Sequence, residues 1–198
     1  MPKAFDEREK QAIRAQLMAA GLRRFAREGV RAARIEDICR DAGIAKGSFY
    51  AFFPSKEELF MTIVDEREAR HKQDMLAFVE AAEGGQRERA GRFFDMLLDK
   101  IETDPVLAMI MEHGEIAYLM RKLGPGRMRQ GQENDRAFVE EVARSWSGRA
   151  LDPAALIGLM TLMLSLATSR GAMTEDQYRP TALLLRELFI DRLVKPTK

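Results

Sequence analysis

"GIAKGSFYAFFPSKEEL", residues 43–59, sets a glycine turn, two lysines and four aromatic rings close together. A buried core wants the rings, and a docking surface wants the charges. The punctuation on either side shows how one short segment can serve both. Upstream, Ile35, Ile38, Cys39 and Ala42 have the spacing of a short helix that Gly43 closes. Downstream, Pro54 cannot continue a helix and biases the residue before it away from helical backbone, so the helix between them should cover about residues 46–53. Ser55-Lys56-Glu57-Glu58 then reads as a capping box that starts a new helix.

Working outward, Ile13, Leu17, Gly21 and Phe25 mark one face of a first helix, which Glu28-Gly29 ends. The helix that starts at Ser55 carries an apolar stripe of Leu59, Phe60, Ile63 and Val64 on through Met75, Leu76, Phe78 and Val79, until Gly84-Gly85 breaks it. Phe93, Phe94, Leu97, Leu98 and Ile101 mark a fifth helix. Asp104-Pro105 ends it and opens a sixth that should run to about Met120, before a loop at Gly124-Pro125-Gly126. Phe138, Val142 and Trp146 mark a seventh, Asp152-Pro153 starts an eighth, and Thr174 to Gln177 caps a ninth that should reach about Val194, with Pro180 in its first turn or kinking it. No stretch sustains a two-residue alternation, so the chain is predicted to be all-α with about nine helices.

Composition sets further bounds. The 198 residues suffice for one sizeable core or two small domains without disulfides. The single cysteine, Cys39, has no internal partner, which suits a reducing cytoplasm. The charged first residues lack the apolar stretch of a secretory signal, and the longest apolar run, 154–167, is too short to span a membrane. A cytoplasmic location without membrane contact is expected. Net charge is +1 overall, yet residues 1–60 carry 12 Lys and Arg against 9 Asp and Glu, a mildly basic part that points to an anionic partner.

Three short helices with a glycine turn between the second and third fit a helix-turn-helix, and spacing alone fits an ordinary helical hairpin as well. Residue identity favours the former. A recognition helix needs small or polar residues at its start, where its backbone approaches DNA, and Ala45, Lys46, Gly47 and Ser48 supply them. A helix N-terminus also favours phosphate.

Here the sequence resembles the tetracycline-repressor (TetR) family of transcriptional regulators. That family's pattern runs Phe-x-x-x-Gly, then Thr-hydrophobic-x-x-Ile-Ala-x-x-Ala-Gly-Val-Ser-x-Gly-x-hydrophobic-Tyr-x-His-Phe-x-x-Lys-x-x-Leu. This chain reads Phe25 to Gly29, then "RIEDICRDAGIAKGSFYAFFPSKEEL", and the match covers about residues 8–68. The resemblance implies a DNA-binding domain at 8–68, its helix-turn-helix at 34–53, and a ligand-binding and dimerisation domain at 69–198. It places Lys46, Gly47, Ser48, Tyr50 and Phe52 on the DNA-facing side, with Lys56 on a phosphate. Ile35, Ile38, Ile44, Phe49 and Phe53 would form the core. Arg34 stands where a threonine usually caps the second helix; arginine caps poorly but pairs strongly with phosphate. Phe52 replaces the usual histidine, and Cys39 a common alanine, which suits a small buried hydrophobe. Base reading would rest on Ala45, Lys46 and Ser48, with Lys46 suited to a guanine edge.

In the C-terminal part, leucines and methionines lie nearly all round the eighth helix, so more than one face must be buried. With Leu183, Leu184, Leu185, Leu188, Phe189 and Leu193 on the ninth, a four-helix homodimer seam through helices 8 and 9 is expected, and the resemblance implies the same. A two-fold dimer predicts a pseudo-palindromic operator with half-sites about one helical turn apart. Phe78, Phe94, Met109, Tyr118, Phe138 and Trp146 either fill cores or line a pocket for a small apolar or amphipathic ligand. Glu112-His113 is either a solvated pair or a polar contact that orients that ligand. By resemblance, such a ligand would move helix 4 and release a repressor from DNA. No cofactor is expected. His71 and His113 lie far apart with no cysteine partner, so no metal site is read. With no nucleophile elbow, phosphate loop, dinucleotide fingerprint or metalloprotease motif, an enzyme is not expected. A ligand-independent regulator or activator, or a helical adaptor that does not bind DNA, remains the alternative.

Overall fold

The computed structural model describes residues 6–81, 83–112, 114–146 and 153–194. These form nine α-helices and one short 3-10 turn: α1 (Glu7–Ala32), α2 (Ile35–Asp41), α3 (Lys46–Phe49), α4 (Lys56–Ala81), α5 (Gln86–Thr103), α6 (Pro105–Glu112), α7 (Glu115–Ser145), α8 (Pro153–Thr168), the turn Arg170–Ala172, and α9 (Glu175–Val194). No described helix is long and apolar enough to cross a membrane.

The chain divides into two compact units, residues 1–68 with 105–126 and residues 69–104 with 127–198. The first unit thus takes in α6 and the start of α7, which sequence order alone assigns to the C-terminal part.

In the first unit, α1 begins on a reciprocal cap, Asp6 accepting from the Glu9 amide while Glu9 accepts from the Asp6 amide. Gly29 interrupts the helix at φ 75°, a left-handed conformation that costs other residues energy, and one further turn follows. The core beneath α2 and α3 contains Ile38, Cys39, Phe49 and Phe53 with Leu17, Phe25, Leu59 and Phe60, and Ile35 and Ile44 pack against it. Phe25 meets Phe60 edge-on at 5.5 Å. Gly21 lets α4 approach closely: a Cβ there would lie 2.9 Å from Leu59 Cδ2. Burial pushes the Cys39 thiol up, so it sits as a small hydrophobe.

The second unit packs α5 against α8 and α9. Its core joins Phe93, Phe94, Trp146, Met163 and Phe189, with Phe93 5.5 Å from Trp146 and Phe94 5.5 Å edge-on to Phe189.

Three sequence expectations need correction. The helix in the opening segment ends at Phe49, not Phe53. Beyond it the backbone tightens, with Ala51 and Phe52 amides bonding Ser48 and Phe49 carbonyls three residues back, because the residue before Pro54 avoids helical backbone. The sixth helix stops at Glu112 rather than about Met120, since Gly114 takes φ 60°. The loop at 124–126 is instead one break inside α7, at Gly124 with φ 76°. Asp152, expected to start α8, lies outside the described residues, and the helix proceeds from Pro153.

Candidate nucleic-acid interface

The DNA-facing candidates cluster on the surface of the first unit, around the turn at Gly43 (φ 71°) that joins α2 to α3. Ala45 caps α3 in extended backbone, and Ala45, Lys46 and Gly47 are exposed. A Cβ added at Gly47 would meet nothing within 4 Å, so this turn of α3 is open to an approaching molecule. Ser48 is half-buried. Phe49 lies fully beneath, which fixes the exposed face, and Tyr50 follows on the surface, 55% exposed. Phe52 is half-buried and packs against the unit's core, so its ring belongs to both surfaces.

Arg34 is the N-cap of α2, with no side-chain capping bond, and is exposed. The threonine-to-arginine exchange therefore gives up a cap and leaves a cation at the mouth of the helix. Two ion pairs stiffen the platform. Arg24 of α1 grips Asp41 of α2 through two bonds of 2.6 and 2.8 Å, and Arg40 pairs with Asp37 within α2.

Lys56 is placed differently from the sequence expectation. Its Nζ donates to the carbonyls of Arg31 and Ala33, at 2.7 and 2.8 Å, closing the last turn of α1. Burial lowers its pKa, and the charges of Glu57 and Glu115 oppose that shift. Two of its three N–H groups are thus engaged by backbone, leaving one for a phosphate. The same turn is held from its other side: Glu115, the first residue of α7, accepts from the Arg31 amide at 3.1 Å. Tyr118, one turn on, donates to Glu57 of α4. Burial and the bond to Glu57 push the Tyr118 hydroxyl up to about 12. Burial raises the Glu57 carboxyl, but hydrogen bonds from Tyr118, backbone and Ser55 outweigh it, and its pKa is lowered. Sequence reading found neither buried carboxylate.

The residues suggested for a ligand pocket do not gather in one unit. Met109 and Tyr118 belong to the first, and Phe78, Phe94, Phe138 and Trp146 to the second. Met109 is buried in the first core, while Phe94, Phe138 and Trp146 are buried in the second and Phe78 stacks on Phe93 there. Glu112 is the last residue of α6, and His113 lies outside the described residues. No metal-binding cluster of His, Cys, Asp or Glu is present among the described residues.

Residues 17–63 match the family described as bacterial regulatory proteins, tetR family. The chain is 33% identical over 60 residues to the HTH-type transcriptional repressor SCO4008 of Streptomyces coelicolor, covering 30% of this chain and 31% of that protein. It is 25% identical over 87 residues to the HTH-type transcriptional repressor NemR of Escherichia coli, 44% of each. The matched region spans less than half the length of these curated relatives. Among solved structures, a TetR-family regulator from Pectobacterium atrosepticum shares the fold with a TM-score of 0.63 at 20% identity, over 98% of this chain and 100% of that one. The family match lies on the segment that builds the exposed head of α3, and the fold shared with that solved regulator extends along nearly the whole chain.

Proposed function

We propose that this protein is a sequence-specific DNA-binding transcriptional regulator, a dimeric repressor that a small apolar or amphipathic ligand releases from its operator. The observation that carries the reading is the exposed, small and polar head of α3, with Lys46 leading it and Phe49 and Phe53 anchoring it from below. Such a surface admits a major-groove floor, and Arg34, with the third proton of Lys56, would fix the register on phosphates. Dimerisation through α8 and α9 is supported by Leu162, Leu183, Leu184 and Leu188, large apolar side chains more than half exposed in the single chain. Ligand control would require an occupant that prefers the DNA-incompetent state, because equal affinity for both shifts nothing. Its site would fall on the aromatic core of the second unit, reached along α4, whose residues enter both units. The cytoplasm is the expected setting.

The test is selection from random duplex DNA, followed by binding measurements against salt. A pseudo-palindromic site should emerge, with affinity falling steeply as salt rises, and Arg34→Ala should flatten the logarithmic slope by about 0.9 if it leaves one phosphate without its cation. Recovery of no palindrome, together with a Lys46→Ala, Arg34→Ala double variant that binds DNA as wild type does, would remove the DNA-binding reading.

A further inference from the structure

The head of α3 is not a plain basic patch. Lys46 Nζ donates to Oε1 of Glu36 at 2.5 Å, joining the first turn of α3 to the first turn of α2 across ten residues of chain. Both side chains are about half exposed, at 53% and 56%. The other acids of α2 serve its own framework: Asp37 takes Arg40, and Asp41 takes Arg24. Glu36 instead reaches forward to the cation that leads the exposed surface. The bond from Lys46, helped by the Arg34 charge, holds the Glu36 carboxyl below its ordinary range. The bond to Glu36 in turn holds the Lys46 ammonium above its own. Both groups are therefore charged at neutral pH.

A surface that gripped phosphates alone would gain nothing from a carboxylate here, since it repels the backbone and offsets the leading cation. An ion pair this exposed also adds little to stability. What Glu36 does provide is direction. It fixes a long, flexible lysine in one place and sets an acceptor beside its donor. The major-groove edge of a G·C pair offers the complement, with guanine O6 and N7 as acceptors and the cytosine N4 amino group as donor.

We propose that Glu36 is a specificity-determining residue that, with Lys46, forms a donor and acceptor pair reading one G·C base pair in each half-site and disfavouring attachment through phosphates alone. The inference rests on the DNA-binding reading above. The test compares full-length wild type with Glu36→Gln, which keeps size and removes charge, by random-duplex selection and by affinity for selected and scrambled duplexes across salt concentrations. A thermal melt of each protein checks that the fold is kept.

Wild type should select a G·C pair at one position of each half-site, and Glu36→Gln should lose that preference. The ratio of selected to scrambled affinity should fall on the order of tenfold. Binding to scrambled duplex should tighten, with a logarithmic salt slope steeper by about 0.9 as Lys46 turns to a phosphate. Unchanged base preference and ratio in Glu36→Gln, or loss of preference at an A·T position instead, would overturn the proposal. A wild type that selects no site at all would fail the DNA-binding reading itself, before the variant is compared.

Discussion

The last turn of α1 depends on a carboxylate that lies 84 positions away, and Glu115→Ala should expose that dependence. Gly29 breaks the helix just before Arg31, and Glu115 Oε1 serves as acceptor for the Arg31 amide. Removing this charged acceptor costs roughly 1.5–3 kcal/mol. Losing one buried methylene adds about 0.8 kcal/mol, because Glu115 is only 3% exposed. Against these stands a relief of roughly 1–3 kcal/mol, since Glu115 Oε2 is buried with no hydrogen-bond partner among the described residues. The net is a loss of about 1 kcal/mol, or roughly 2–4 °C in thermal midpoint for a chain of this size. Glu115→Gln keeps an acceptor at Oε1 and gives up the buried charge, so it should recover about half of that loss. Thermal melts of the three proteins give the totals, and amide hydrogen exchange at Arg31 locates the effect, with exchange faster in Glu115→Ala than in Glu115→Gln. A Glu115→Ala protein as stable as wild type, or a Glu115→Gln protein no better than Glu115→Ala, would refute this reasoning.

The Tyr118 hydroxyl is raised from 10.0 to about 12 in the folded chain, so between those values the folded state keeps a proton that the unfolded state has lost. Stability should therefore fall as pH climbs through that window, by about 1 kcal/mol once solvent screening of a half-exposed ring discounts the full shift. Urea unfolding from pH 8 to 12 should show Tyr118→Phe less stable than wild type at the low end and level with it at the top. Gly21→Ala would place a methyl group 2.9 Å from Leu59 Cδ2 and 3.2 Å from Phe25 Cε2, so overpacking should outweigh the gain in helix propensity. Denaturant titration should find it about 1–2 kcal/mol less stable. Leu184→Glu and Leu188→Glu alter side chains 66% and 54% exposed in the single chain, so they should leave its fold intact yet shift sedimentation from dimer to monomer.

Helix starts were legible where a side chain announces them. Ser55 does accept from the Glu58 amide at 3.1 Å, and the Gln177 side chain does accept from the Thr174 amide at 3.0 Å. Helix ends set by glycine alone were harder. Around Gly114 the apolar spacing runs on from Met109 to Leu119, so periodicity promised one helix, and only a φ of 60° reveals two. At Gly124-Pro125-Gly126 the composition announced a loop, whereas Pro125 sits where its missing N–H costs nothing, at the start of the helix resuming after Gly124. The exposed part of the candidate site was legible because the features that suggest it are local: four residues in a row set the head of α3. Glu36, Glu57 and Glu115 escaped because each acts across a separation that no spacing rule records, and a carboxylate in a charged sequence reads first as solvated surface.

The same geometry changes how removal of Lys56 should be interpreted. The sequence made it a phosphate ligand, but its ammonium closes the turn that ends at Ala33, directly before Arg34. That turn is pinned through its carbonyls by α4 and through an amide by α7, so the placement of Arg34 at the head of α2 depends on two distant stretches of chain. A Lys56→Ala protein that binds DNA poorly would then fit two different causes, a phosphate left without its cation or a displaced Arg34. They separate by salt. The first flattens the logarithmic slope by about 0.9 and leaves the Arg31 amide protected, whereas a loosened turn speeds exchange there and blunts the separate effect of Arg34→Ala. The carbonyl bonds favour the second cause, because an ammonium already sharing two of its three protons with backbone has less to offer a phosphate than the exposed guanidinium of Arg34.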